Sequence, residues 1–513
     1  MHRALCRLLV VIFACAAAVA QADEGAPHVG PQDGNAVLHV GSKRFTESYI
    51  LGEILAQTAA PYAKVEHKQG LGNTAIVYEA LQSGSIDLYA EYTGTIALEI
   101  LKQPGATSPA QLDAALALHG LGVAIPLGFN DGYALAVRGA DAKVLHLQKL
   151  SDLAAHPQLR FGLSQEFLGR ADGWPGLART YGLAQQPLSM DHGLAYTAIA
   201  QKQVDVIDIY STDAQIAKLG LTVLADDRNY FPHYDAVILY RRDLPQRFPQ
   251  AWAALQKLQG RIAAPQMIAM NAAAELDGRS FDAIARDFLH GTATRGSAHT
   301  GLWARTFDEH FWTLTRQHVL LVLVSLAAGC ALGLPLGVLA ARAPRLRQAV
   351  LTVVGVLQTI PSLALLAMLI PLLGVIGTVP ALVALFVYSL LPIVRNTLTG
   401  LEEVPTGLSQ AAVALGLSAR QRLLHVELPL AAPVILAGVK TAAVTNVGTA
   451  TIAAFIGAGG YGERISTGLA LNDHQLLLAG ALPAALLAIL TQWGFDAAEY
   501  LVFGRRRRAA ARA

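Results

Sequence analysis

Cysteine is scarce. There are three in 513 residues, Cys6, Cys15 and Cys330, and each lies in an apolar run. The polar part of the chain therefore has neither a disulfide nor a thiol nucleophile, and cysteine usage leaves the compartment open. Charge is thin as well, at 15% of residues with a net +2. That balance, without a basic patch interleaved with aromatics, gives no sign of a nucleic-acid partner. No G-x-x-x-x-G-K-S/T occurs, so the chain has no P-loop of its own to cradle ATP. H-E-x-x-H, C-x-x-C and G-x-S-x-G are missing too, and the fifteen histidines form no ligand-spaced cluster. Neither a metal, nor a cofactor, nor an enzyme is expected from such a pattern. Asp213 and Asp235 read as turn residues, and His318 as a packing residue.

Apolar residues make up 53% of the chain, and the mean hydropathy is +0.40. The average hides a step near residue 305. Before it the chain reads as globular; after it, runs of membrane length dominate. Residues 1–22 read as a secretory signal, with Arg3 and Arg7 flanking a run from Leu8 to Val19, and Ala20-Gln21-Ala22 as the cleavage site. That run is short for a span, which favours a cleaved signal over an anchor helix. Residues 23–36 form a polar lead-in.

From Val37 the pattern becomes α/β. Strands are expected at Val37–Gly41, Leu88–Tyr92, Tyr133–Arg138, Phe161–Ser164, Val204–Tyr210, Val223–Ala225 and Ala236–Tyr240. Helices are expected from Thr46, as cap, through Leu55, and at Thr74–Gln82, Gln111–His119, Tyr196–Gln203 and Asp213–Lys218. Such alternation implies largely parallel sheets, with ligands bound beyond the carboxyl ends of strands. The stretch 37–300 is long for a single core. Two lobes with a cleft are expected, one at about 37–132 and 233–300, the other at about 133–232.

Tyrosines recur in the loops at strand ends. They stand in Glu91-Tyr92-Thr93-Gly94-Thr95, Asn130-Asp131-Gly132-Tyr133, Asp208-Ile209-Tyr210-Ser211-Thr212-Asp213 and Phe231-Pro232-His233-Tyr234-Asp235. One such tyrosine is commonplace. Together they point to a convergent aromatic site, whose ring faces attract a quaternary ammonium.

Gly41-Ser42-Lys43-Arg44-Phe45-Thr46-Glu47, Gly84-Ser85-Ile86-Asp87, Glu91–Thr95, Tyr210–Asp213 and Phe231-Pro232 resemble the glycine betaine/choline/carnitine binding proteins of osmoprotectant ABC importers. The resemblance covers roughly 37–290. It implies a two-lobed periplasmic binding-protein fold with Tyr92, Tyr133, Tyr210 and Tyr234 as a cage. Arg170, in Phe167–Gly173, falls where the family often places a group for the ligand carboxylate, and an arginine fork suits that partner. The bland alternative is a surface arginine in a Gly-rich loop. Thr95 and Ser42 are further candidate donors to the carboxylate. Relatives that bind other trimethylammonium compounds, including ergothioneine, leave the ligand open.

After a linker at 301–316, residues 317–502 read as an all-α polytopic membrane domain. Its spans are expected at Gln317–Ala340, Val350–Leu373 (interrupted by Pro361 and Pro371), Val375–Val394, Leu430–Ile456 and Leu476–Val502. With the first span running inward, Arg342, Arg345, Arg347, Arg395, Arg420, Arg422 and the basic tail 503–513 all fall on the cytoplasmic side, with Arg464 alone outside. The stretches Gln358–Leu366, Tyr388–Thr397 and Ala453–Gly460 resemble the permease subunit of the same importers. Gln358, Ser362, Tyr388 and Asn446 either line a polar path or bond helices to one another.

Between the third and fourth spans, within 400–429, lies a helix–turn–helix. Gly416 ends one helix in a left-handed cap and Ser418 caps the next. Gln410-Ala411-Ala412, Gly416, Val426, Leu428 and Pro429 resemble the coupling loop by which ABC importer permeases dock their ATPase, with Gln410 in place of the usual Glu. The basic flank and an apparent lack of apolar faces set it apart from a plain helical hairpin. The expected protein is thus a fused binding-protein/permease subunit of the inner membrane, its binding domain outside. A quaternary ammonium ligand, a separate ATPase, a second permease copy and membrane lipid are its expected partners. A membrane-bound ligand sensor is the alternative, although a sensor needs no ATPase dock.

Overall fold

The computed structural model describes residues 36–104, 108–291, 301–471 and 473–510, the last eight as backbone only. The signal sequence expected at 1–22 and nearly all of the lead-in lie outside the described residues, as do the side chains of the basic tail. The chain forms two compact units. One runs to Arg305 and takes in Arg464–Ala479; the other holds Thr306–Glu463 and the chain from Gly480.

The first unit carries two mixed five-stranded sheets. Strands β1 (Val37–Gly41), β2 (Lys64–Lys68), β3 (Leu88–Tyr92) and β4 (Leu121–Ala124) belong to one sheet. Strands β5 (Tyr133–Arg138), β6 (Phe161–Ser164), β7 (Leu188–Met190), β8 (Val206–Tyr210) and β9 (Leu221–Val223) form the other. The chain then returns, and β10 (Ala236–Arg241) inserts between β3 and β4. The chain passes from one sheet to the other between β4 and β5 and back between β9 and β10, but the largely parallel pairing does not hold. β10 runs antiparallel to both neighbours, as does β5. Each of these strands enters its sheet directly from a short crossing segment, where no crossover helix is available to set it parallel. The two crossing segments lie side by side, Asn130 bridging Asp235.

Local chemistry explains the shifted boundaries. Helix α1 (Thr46–Ala59) starts with Thr46 inside it; Phe45 takes the cap position, and Thr46 does not cap. Helix α2 (Thr74–Gln82) is capped by Asn73. The helix expected from Gln111 begins at Pro109, behind a Ser108–Gln111 capping box. Helix α3 (His192–Ala200) begins four residues before the expected Tyr196, because the Asp191 carboxylate caps Gly193 N–H at 3.1 Å. Helices α4 (Ala264–Glu275) and α5 (Phe281–His290) complete the unit beside α1.

In the second unit α6 (Phe311–Arg342) crosses the full apolar length. Helices α7 (Pro344–Thr359) and α8 (Ser362–Leu373) meet at a 98° bend. The unit continues with α9 (Thr378–Glu402), α10 (Thr406–Ala414), α11 (Ala419–Arg422) and α12 (Leu428–Thr449). Past Arg464–Ala479, which contributes to the first unit, the long helix α13 (His474–Ala510) re-enters it. Among the described residues four helices are long and apolar enough to cross a membrane, and the expected second span is the bent pair. Pro361 breaks the helix there, and Tyr388 on α9 donates its hydroxyl to the Ile360 carbonyl, which pins the corner. A crossing pair keeps Arg342–Arg347, Arg395 and Arg420–Arg422 on one side of the membrane; a re-entrant pair would split them.

Helix α6 packs on α9 through Gly329, Gly333 and Gly337. A Cβ at these positions would lie 2.0 Å from Ser389 Oγ, 2.8 Å from Ile393 Cγ2 and 2.5 Å from Thr397 Cβ. Small residues four apart let two helices approach closely in lipid. Asn446 donates to Ser325 Oγ at 3.0 Å, so this polar residue bonds α12 to α6. His318 is fully buried between Val447 O, at 2.9 Å, and Tyr461 N–H, at 3.3 Å.

Candidate functional site

The four tyrosines come from both lobes. Tyr92 ends β3, and Tyr234 stands two residues before β10. Tyr133 opens β5 and Tyr210 ends β8, where the two are direct partners in the ladder. Opposed residues on neighbouring strands present side chains on one face. Their rings lie 5.1 Å apart. Tyr234 meets Tyr133 edge-on at 5.8 Å. Burial raises all four phenols well above their usual value, so the rings are neutral.

Phe45 joins Tyr92 to Tyr210, at 6.4 and 5.3 Å. Phe167 stacks on Tyr133 at 5.1 Å, and Phe231 on Phe167 at 6.1 Å. These phenylalanines stood inside the stretches quoted above, but only tyrosine was singled out there. Lys43 was passed over too. Its ammonium bonds Glu91 Oε1 at 2.6 Å and sits 5.0 Å from the Tyr92 ring centroid. The rings of Tyr92 and Phe45 thus already face a cation of the chain itself. His192 lies 4.4 Å from the Tyr210 ring and 3.0 Å from Asp213. Burial opposes its charge, but Asp213, with Asp208 and Asp191, outweighs burial and raises the imidazolium to about 9.

Arg170 is buried, not a surface residue. Its Nε and Nη2 already hold Asp172 at 2.7 and 2.6 Å, and Nη1 lies 3.5 Å from Glu166. Nη2 also donates to Thr95 Oγ1 at 3.3 Å, and the guanidinium stands 5.2 Å from the Tyr133 ring centroid. The fork expected for a ligand carboxylate is therefore filled by Asp172, which also accepts the Tyr234 hydroxyl at 2.7 Å. Arg170 and Thr95 adjoin the rings, and a network of side chains holds them there. Ser42 is placed apart: its hydroxyl takes the Gly70 N–H at 3.2 Å and lies 2.9 Å from His67. It fastens the turn after β2.

Gly94 lies directly under this site. A Cβ there would come 2.7 Å from the Tyr234 ring and 2.9 Å from the His233 carbonyl. Overpacking of this kind costs about 1–3 kcal/mol. Gly94→Ala is expected to displace Tyr234 and weaken ligand binding by roughly tenfold, corresponding to about 1.4 kcal/mol. Isothermal titration of the full chain checks it; unchanged affinity would remove Tyr234 from the site.

The second candidate site is the element from Gln410 to Pro429. Helix α10 ends at Ala414 with Leu415 as its cap, and the chain turns at Gly416, whose φ of +79° only glycine adopts freely. Ser418 caps α11 in a reciprocal box with Gln421. Leu428 and Pro429 open α12. Glu427 is buried where these helices meet; it pairs with Arg422 at 2.9 Å and with Arg342, and takes the Ser409 hydroxyl at 3.0 Å. Ala412 faces inward, while Gln410 and Ala411 are exposed. The expected lack of apolar faces is overturned: Leu408, Val413 and Leu424 are exposed, and Leu415 is 80% exposed. Helical spacing had hidden this patch, because its residues come from separate short helices.

Comparison with known proteins accounts for both halves. Residues 36–291 match the substrate binding domain of ABC-type glycine betaine transport systems, and residues 333–502 match the inner membrane component of binding-protein-dependent transport systems. The chain is 35% identical over 262 residues to the ergothioneine transport permease/ergothioneine binding protein EgtU of Helicobacter pylori, taking in 49% of this chain and 47% of that protein. It therefore spans about half the length of that relative. It is 46% identical over 185 residues to the osmoprotectant import permease protein OsmW of Salmonella typhimurium, covering 35% of this chain and 86% of that protein. A choline transport system permease protein of Bacillus subtilis, OpuBB, is 43% identical over 185 residues, covering 36% of this chain and 85% of that protein. The chain is a multi-pass inner-membrane protein with an extracytoplasmic binding domain. It belongs to the binding-protein-dependent transport family, as a fusion of a glycine betaine-type substrate-binding domain with an inner-membrane permease component.

Proposed function

We propose that the chain takes up a quaternary ammonium compound, such as glycine betaine, choline or carnitine, with ATP hydrolysed by a separate subunit. One observation carries the ligand class: Tyr92, Tyr133, Tyr210 and Tyr234 converge from two lobes with Phe45, all as neutral rings. Buried ring faces attract a trimethylammonium group by about 2 kcal/mol or more. Arg170 and Thr95 bear on the other end of the ligand, Arg170 through the donors that Asp172 leaves over. Ser42 acts on the site through the Gly70 turn. The similarity to an ergothioneine binding protein supports a second ligand, ergothioneine, which carries the same ammonium group.

The element from Gln410 to Pro429 is the dock for the ATPase, with Gln410, Ala411, Gly416 and Leu415 facing it and Ala412, Leu428 and Pro429 holding its shape. A span count of five is small for a closed pathway, so two permease copies form one pore. Labelled choline or glycine betaine uptake by cells producing the chain tests the reading. Arsenate, which drains ATP, is expected to stop uptake. Collapse of the proton gradient with ATP maintained is expected to leave it intact. Uptake that follows the proton gradient would overturn the ABC mechanism, and binding without uptake would favour a sensor.

A further inference from the structure

Glu47, in the first turn of α1, is only 2% exposed. Its Oε1 accepts the Tyr92 phenol at 2.5 Å. Its Oε2 accepts the Thr212 hydroxyl at 2.5 Å and Asn271 Nδ2 at 3.3 Å. Tyr92 lies in the first lobe. Thr212 follows β8 in the second. One carboxyl thus ties an aromatic wall of the site to the opposite lobe. Asp131, in the crossing segment, completes the bridge: its Oδ1 takes the Thr212 N–H at 3.2 Å and lies 2.9 Å from the Thr212 hydroxyl.

The proton inventory of this bridge is short by one. A threonine hydroxyl carries a single proton. It can donate to Glu47 or to Asp131, but not to both. The other close approach is a hydrogen bond only when that carboxyl is itself protonated. The surrounding charges act both ways: on the α3–α4 side Asp213 favours the protonated form, with Glu275 beside it, while the His192 cation paired with Asp213 opposes it, and Glu91 on β3 is neutralised by Lys43. Burial pushes Glu47 up to about 7, against hydrogen bonds from Thr212, Tyr92 and Asn271. Burial, with Glu47 itself and Asp213 adding to it, holds Asp131 well above the carboxylate range.

We propose that Glu47 is a positioning residue for the aromatic site, and that closing the lobes on ligand takes up one proton into the Glu47–Thr212–Asp131 bridge. The proposal rests on the ligand class given above. With the lobes apart, both carboxyls meet water and ionise in the ordinary range. With the lobes closed, one stays protonated until the pH passes about 7. Affinity is therefore full below the open-state carboxylate range, falls by at most about tenfold per pH unit between that range and the closed-state value, and levels off above it. Glu275 is also pushed up to about 7, by burial and by Asp213, so the wild-type profile alone does not assign the proton. Glutamine at position 47 does, since it keeps an acceptor for Tyr92 and supplies a fixed N–H donor to the Thr212 hydroxyl, which is then free to donate to Asp131.

The test titrates the full chain in nanodiscs with choline and glycine betaine from about pH 5.5 to 9, in buffers of different ionisation enthalpy. Wild type is expected to lose roughly tenfold in affinity between about pH 5.5 and 7, to change by no more than about twofold above that, and to take up close to one proton at the lower end and almost none at the upper end. Glu47→Gln is expected to keep the low-pH affinity with a flattened profile, and Glu47→Ala to bind weakly at every pH. Asp131→Asn provides a second flattened profile should Glu47→Gln fold poorly. Wild-type and Glu47→Gln profiles that superimpose overturn the proposal while leaving the ligand class standing. No binding of either compound to wild type at any pH removes the ligand class, and the proposal with it.

Discussion

Replacing Tyr133 and Tyr210 together by leucine is expected to weaken binding of choline or glycine betaine by roughly thirty- to several-hundred-fold. A ring face is worth about 1 kcal/mol to a quaternary ammonium when exposed and about 2 when desolvated, and each 1.4 kcal/mol is about tenfold. The two rings are ladder partners 5.1 Å apart, so they bound one side of the site as a pair. Leucine keeps most of the buried apolar area, which separates loss of the ring face from loss of the fold. Tyr210→Phe keeps the face and removes only the hydroxyl, and is expected to stay within about threefold of wild type. Calorimetric titration reads both variants. A leucine pair that binds as well as wild type would mean that the ammonium lies elsewhere.

Leu415→Asp is expected to bring uptake down by more than tenfold while ligand affinity is unchanged. Leu415 is 80% exposed at the tip of the helix–turn–helix, with Leu408, Val413 and Leu424 exposed beside it. Burying such a side chain against a partner contributes about 1.5–3 kcal/mol, and a buried unpaired carboxylate costs more. The frame beneath it is firm: Glu427 links α10, α11 and the end of α6 through Ser409, Arg422 and Arg342. The substitution therefore changes the surface and leaves the hairpin standing. Gln410→Glu restores the residue usual in the family at an exposed position, and is expected to leave uptake equal or higher. Uptake by Leu415→Asp at the wild-type rate would remove the ATPase from this face.

Much of this was legible in the sequence, and the misses have physical causes. Strands β3, β5 and β6 are largely apolar and mostly buried, and they begin and end at the expected residues. Strand β2 reads Lys-Val-Glu-His-Lys and lies at a sheet edge, so only its ladder to β1 marks it as a strand. Strand β7 is a three-residue edge with two exposed positions. The antiparallel insertion of β10 depends on a pairing across some 140 residues of chain, which no local pattern records.

The site followed the same rule. The tyrosines were legible because three of them close or open a strand and Tyr234 stands just before one. Phe45 and Phe167 were not, since a phenylalanine beside a helix start reads as ordinary core. The fate of Arg170 turned on Asp172, two residues on, which takes its fork. Gly416 and Ser418 were legible as caps because capping is local, whereas the exposure of Leu408, Val413, Leu415 and Leu424 depends on how the short helices pack.

The most direct test of the central claim is titration of the full chain with matched pairs that differ only in N-methylation: glycine betaine against glycine, and choline against ethanolamine. A site of neutral rings around a quaternary ammonium predicts saturable binding of at least one methylated compound. Its unmethylated partner, which keeps ammonium hydrogens and a tight water shell, is expected to bind at least about a hundredfold more weakly. Equal affinity within both pairs, or binding of neither methylated compound, would contradict the account.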